Sequence, residues 1–137
     1  MSLRETILTK TPQLAKLTVP EWDRDIYVPR LSPGARVALL KRTGTLEEIP
    51  EKDAEGRGRW LARYFIAVAC DQTGTPLFSA EDEEDVYAHA IATAVEAVAL
   101  FALRINSVGR ERLESLGNVS GEARNGASPT GSLATSG

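Results

Sequence analysis

Hydrophobic and polar positions alternate clearly only near the start of the chain. Ala15, Leu17 and Val19 are interleaved with Lys16 and Thr18, the period of a half-buried strand. Pro20-Glu21-Trp22-Asp23 supplies a turn, and Asp25-Ile-Tyr-Val28 forms a second extended piece ended by Pro29. A proline at each end suits an edge hairpin. Trp60 to Cys70 is a longer apolar run that fits a helix or a strand. Tyr64, Phe65, Ile66 and Val68 favour a strand covered on both faces, and the turn that follows tips the balance toward one. That turn, Asp71-Gln-Thr-Gly74, predicts a second hairpin with glycine at positive φ and a short return strand from Thr75 to Ser79.

Helices are marked chiefly by their ends. Ser2 and Glu5 form a capping box before a short helix over about residues 3–10. Ser32-Pro33 opens a helix that runs to about Arg42 and stops near Gly44. Residues 43–58, with Gly44, Pro50, Gly56 and Gly58 among charges, read as a loop. Ser79 and Asp82 form a second capping pair, and the acids Glu81 to Asp85 complement the positive end of a helix dipole. The helix so started extends to about Asn106 with a bend near Tyr87. A last short helix is predicted over about 110–116. The expected fold class is α+β: a small antiparallel sheet of hairpins packed against a long C-terminal helix and short helices.

On the wheel of that long helix, Ile91, Ala94, Val95, Val98, Phe101, Ala102 and Ile105 share one broad face. His89, Thr93, Glu96 and Arg104 form a narrow polar stripe opposite. Leu100 sits within that stripe and Leu103 at its border. Two readings follow: a helix sandwiched within the fold, or a partner-binding or self-association surface built on Leu100 and Leu103.

Composition narrows the rest. A chain of 137 residues suits one domain, expected over 1–118, and 119–137 is a tail of small residues too poor in apolar side chains to fold. Sixteen basic and 19 acidic residues give a net charge of −3, which argues against non-specific nucleic-acid binding. No apolar run approaches the roughly 20 residues of a membrane span. Arg4, Glu5 and Lys10 interrupt what would be the apolar core of a signal peptide, so a cytoplasmic protein is expected. The single cysteine, Cys70, suits a reducing compartment and reads as inert core.

Candidate chemistry is thin. His89 is the only histidine and reads as a surface residue, so no two-histidine zinc site can be built. Glu81–Asp85 lacks the alternating acids and central glycine of a calcium loop. Arg57, Arg59 and Arg63 with Trp60 and Tyr64 form the one basic–aromatic cluster, which reads as a solvated strand edge rather than a nucleic-acid surface. Gly56-Arg-Gly58 matches no phosphate loop. No catalytic, cofactor or metal residues are expected.

Two blocks nevertheless carry a resemblance. In residues 17–36, Val19 and Pro20 lead to Trp22, a short strand containing Val28, and a helix whose start follows Leu31. In residues 68–109, an apolar strand precedes Asp71-x-x-Gly74, Leu77-Phe78, an acid-rich helix start with Asp82, and a helix ending at Asn106. In this order the features resemble the tail assembly chaperones of long-tailed bacteriophages and prophages, over residues 1–117. The small-residue tail and the alanine-rich helix depart from the family pattern. The resemblance implies a non-catalytic protein of the host cytoplasm that binds the tape measure protein, keeps it soluble and helps recruit tail tube subunits. It also implies that a longer, frameshifted form can exist. Homo-oligomers are compatible with it. The alternative is a virion structural protein, a tail or head–tail connector subunit.

Overall fold

A computed structural model of the chain describes residues 2–8 and 13–106. The helix expected over 110–116, the domain limit at 118 and the tail 119–137 lie outside the described residues.

The chain opens on helix α1 (Leu3–Ile7), started by the expected capping box: Ser2 Oγ accepts from the Glu5 amide at 3.1 Å, and Glu5 Oε1 accepts from the Ser2 amide at 2.9 Å. Strands β1 (Leu14–Val19) and β2 (Arg24–Pro29) follow as an antiparallel hairpin, in register from Leu14 opposite Pro29 to Val19 opposite Arg24. The alternation decides which face is covered. Ala15, Val19, Ile26 and Val28 are buried, while Lys16, Thr18, Arg24 and Asp25 are exposed. On the exposed face the Thr18 hydroxyl donates to Asp25 Oδ1 at 2.7 Å.

Helix α2 (Pro33–Thr43) starts as its sequence predicts, with Ser32 Oγ accepting from the Ala35 amide at 3.2 Å and proline in the first turn. It ends at Gly44, whose φ of +72° is favourable only for glycine.

Residues 43–58 are not a continuous loop. A short 3₁₀ turn occupies Leu46–Glu48, and helix α3 (Ala54–Val68) begins before the apolar run and includes nearly all of it. The strand expected from Trp60 to Cys70 is therefore a helix. Asp53 caps it by accepting from the Gly56 amide at 2.9 Å, and Trp60 and Tyr64, one turn apart, stack with ring centroids 5.0 Å apart. The strand signal misled because Trp60, Ala62, Tyr64, Phe65, Ile66 and Val68 are all buried, so little polar periodicity survives. The two glycines near its start lie close to neighbouring side chains. A Cβ on Gly58 would stand 3.1 Å from Tyr87 Cε1, and one on Gly56 would collide with the capping Asp53 carboxylate.

After α3 the chain crosses back to the hairpin. Cys70 and Tyr27 exchange both backbone hydrogen bonds, at 2.8 and 3.0 Å, as an isolated antiparallel bridge beside β2. The expected second hairpin is correspondingly small, a single bridge between Cys70 and Pro76 around the Asp71–Gly74 turn. Gly74 has the expected positive φ, +87°.

Ser79 and Asp82 form the expected capping pair around a 3₁₀ turn, Ala80–Asp82. The long helix is two helices: α4 (Glu83–His89) and α5 (Ala92–Asn106), parted where Ala90 adopts extended backbone at ψ 145°. Neither glycine nor proline marks this break. The two helices differ in what they pack on: α4 lies along α3, whereas α5 packs on both α3 and β1. The core gathers the covered hairpin face, α3 and the inner faces of α4 and α5. At its centre Phe65 tilts against Trp22 and Phe78, with centroids 5.9 and 5.4 Å away. The architecture is α+β, one antiparallel hairpin packed against helices that include the C-terminal α5.

Candidate functional site

The residues with chemical potential are engaged in structure. Arg57 donates to the carbonyls of Ile49 and Pro50 at 3.0 and 3.2 Å. Arg59 bridges Glu55 at 3.0 Å and Glu84 at 2.6 Å, with its guanidinium 4.3 Å from the centre of the Tyr87 ring. Arg63 holds Glu83 with two bonds of 3.1 Å. The basic cluster and part of the acidic run thus meet each other, latching α4 onto α3. The aromatic members of the cluster are buried. Trp60 Nε1 donates to the Gly44 carbonyl at 3.0 Å, and burial pushes the Tyr64 phenol up to about 12. Cys70 is buried, and its thiol is pushed up by desolvation and then by the Asp71 charge, which keeps it away from the reactive thiolate. Among the described residues no group of three or more histidine, cysteine and acidic side chains is placed to hold a metal ion. No helix among them is long and apolar enough to cross a membrane.

What the molecule offers instead is exposed aliphatic surface. On α5 the inner face is Ala94, Val95, Val98, Ala99 and Ala102, all buried. Thr93, Glu96, Ala97 and Arg104 face outward, and the Thr93 hydroxyl donates to Glu21 Oε2 at 2.7 Å. Leu100 stands among them, 48% exposed. Leu103, at the border of the stripe, is half-buried and packs against the core. Two residues of the wheel fall elsewhere because the helix is broken. His89 is the last residue of α4, and Ile91, placed on the apolar face, is exposed between the helices.

Two further apolar features have weaker marks in the sequence. On α2, Val37 and Leu40 are each about half exposed. Their signal is a helix without one acid, carrying Arg36, Lys41 and Arg42 beside its leucines. Between the hairpin turn and α4 lies an open cleft of about 440 Å³, floored by Trp22, Ile26, Phe65 and Phe78 and edged by Leu77. Asp82, Asp85 and His89 line its α4 side. The cleft joins residues that are distant in sequence, so no local pattern announces it.

The fold is an α+β arrangement with aliphatic surface on several faces and its polar clusters paired internally. No protein-family model and no curated protein matches the chain. Among solved structures it is similar to the bacteriophage HK97 tail assembly chaperone, with a TM-score of 0.53 and 20% sequence identity, over 75% of this chain and 95% of that one. At this identity the likeness establishes the fold, and the protein that shares it is a member of the family the sequence resembles.

Proposed function

We propose that this chain is a phage tail assembly chaperone. It binds the tape measure protein, keeps that long helical protein soluble and helps recruit tail tube subunits, without catalysing a reaction, in the cytoplasm of the host. The observation that carries this reading is the likeness to the HK97 tail assembly chaperone over 95% of that chain. Exposed leucines on a packed domain support it, because capture of helical segments uses apolar surface that a rigid scaffold leaves uncovered. Leu100 and Leu103 are the residues assigned to the partner surface.

Co-expression with the tape measure protein of the same phage tests the proposal. The tape measure protein should remain in the supernatant after centrifugation with this chain present and pellet without it. A tape measure protein equally soluble in both cases overturns the assignment. Recovery of the chain from purified virions would identify a structural subunit instead.

A further inference from the structure

The cleft beside α4 does not end at Leu77. A second concavity of about 530 Å³ adjoins it and shares Trp22, Ile26 and Leu77 with it. Together they make one groove that runs from α4 across the hairpin to the Asp71 turn. Leu77, 43% exposed, stands where the two halves meet. Carboxylates border both halves: Asp82 and Asp85 on the α4 side, Asp25 and Asp71 at the far end. Among the described residues none of these four has an ion-pair partner, whereas Glu83 and Glu84 are held by Arg63 and Arg59. Arg24 is the only lysine or arginine among the described residues that line the groove.

Two features restrict what can lie there. The outer edge of β2 is already engaged at Tyr27, which exchanges both backbone hydrogen bonds with Cys70, so a partner cannot add to it as a continuous strand. Recognition therefore falls to side chains, on an apolar and partly aromatic floor edged by negative charge. Such surroundings suit a helix that lays its apolar face in a groove. Acids at both ends call for cations on both borders of that face, because like charges brought together across a contact oppose it.

We propose that this groove binds a cationic amphipathic helix of a partner protein. Aliphatic side chains at i, i+3, i+4 and i+7 of that helix enter against Trp22, Leu77 and Phe78. Lysines or arginines on its two borders face Asp85 at one end and Asp71 at the other. The groove is separate from the α5 stripe, since neither Leu100 nor Leu103 lines it. Taking the helix from the tape measure protein rests on the proposed function, whereas the chemistry the groove selects does not.

Calorimetric titration of the full chain with a synthetic helical peptide tests it. The peptide has about five turns, with leucines at that spacing and lysines on both borders of the leucine face. Binding should saturate and should weaken as salt rises, because the border charges are exposed. The same peptide with glutamate in place of every lysine should bind about tenfold more weakly or worse. Leu77→Glu should abolish binding of the lysine peptide. Asp85→Lys should weaken it about tenfold and strengthen binding of the glutamate peptide. Both side chains are exposed, so both variants should keep the wild-type circular dichroism. The reversal of preference at Asp85 separates the groove from a folding defect and from general attraction to an acidic protein. Absence of binding, equal binding of the two peptides, or binding indifferent to both substitutions overturns the proposal, even where the chain keeps the tape measure protein soluble. A chain that binds with the expected charge preference but leaves the tape measure protein insoluble supports the groove and overturns the proposed client instead.

Discussion

Asn106, the last residue of α5, accepts a hydrogen bond from the backbone amide of Leu31, 75 residues earlier, at 2.8 Å. Its Nδ2 donates in turn to the Pro29 carbonyl at 2.9 Å. One buried side-chain amide thus satisfies both backbone groups where the chain leaves β2 for α2, and fixes the end of α5 to that corner. Asn106, one of the residues that carry the sequence resemblance, thus has a physical role in the fold.

Asn106→Ala leaves a backbone donor and a backbone acceptor without this partner. Each orphaned group costs about 1–3 kcal/mol, moderated where water reaches the corner. The variant should lose about 2–4 kcal/mol in urea unfolding. Asn106→Asp keeps the acceptor for Leu31 but sets a carboxylate against the Pro29 carbonyl, and should be no better at neutral pH. Wild-type stability in Asn106→Ala would show that the corner is held by other contacts.

Gly74 closes the Asp71 turn at φ +87°, and its Cβ position is open apart from Leu14 methyls 3.8 Å away. The cost of a side chain there is conformational rather than steric. Gly74→Val should destabilise the domain by about 1 kcal/mol or more, seen as a lower denaturation midpoint at unchanged slope. An unchanged midpoint would place the strain elsewhere.

The same turn governs part of the acid response. Asp71 Oδ1 accepts from the Thr73 hydroxyl at 2.6 Å and from the amides of Thr73 and Thr75 at 2.8 and 3.1 Å. The Thr73 hydroxyl first, and then these amides, hold the carboxyl below the usual aspartate range. Because the folded value is depressed, the stabilisation is complete above the ordinary value of 3.8 and is lost as pH falls through the folded one. Asp71→Asn keeps an accepting oxygen but no charge. The difference in urea midpoint between pH 7 and about pH 2.5 should therefore be smaller in the variant than in the wild type. An identical difference would mean that the turn makes no contribution to acid unfolding.

Elements whose signals are local were legible in the sequence. The caps at Ser2, Ser32 and Ser79, the β1 alternation and the glycine turn at Gly74 each act within a few residues, and the structure has them. Elements decided by neighbours were not. Gly56 and Gly58 argued against a helix, yet both lie within α3, Gly56 beside the capping Asp53 and Gly58 beside the Tyr87 ring. The α4–α5 break has no breaker residue, and Arg59 and Arg63 serve a neighbouring helix rather than an exposed strand edge. Thr93, Glu96, Leu100 and Arg104 form an exposed stripe at the spacing the sequence predicts, because all four lie beyond the break on one continuous helix.

That helix permits a test that separates folding from partner binding with two substitutions. Val98 has no exposed surface and lies against the core, so Val98→Asp buries an unpaired charge and should prevent folding. Leu100 is two residues further on but 48% exposed, with Glu96 and Arg104 each four positions away along the same stripe. Leu100→Glu should leave the circular dichroism spectrum and the urea midpoint within about 0.5 kcal/mol of wild type. Under the proposed function, the folded variant should no longer keep a co-expressed tape measure protein in the supernatant. Leu103→Glu is the informative companion, because Leu103 is half-buried against the core and should lose both stability and client protection. A Leu100→Glu chain that folds and protects fully removes Leu100 from the binding surface. One that fails to fold shows that Leu100 is covered in the native protein and belongs to its core.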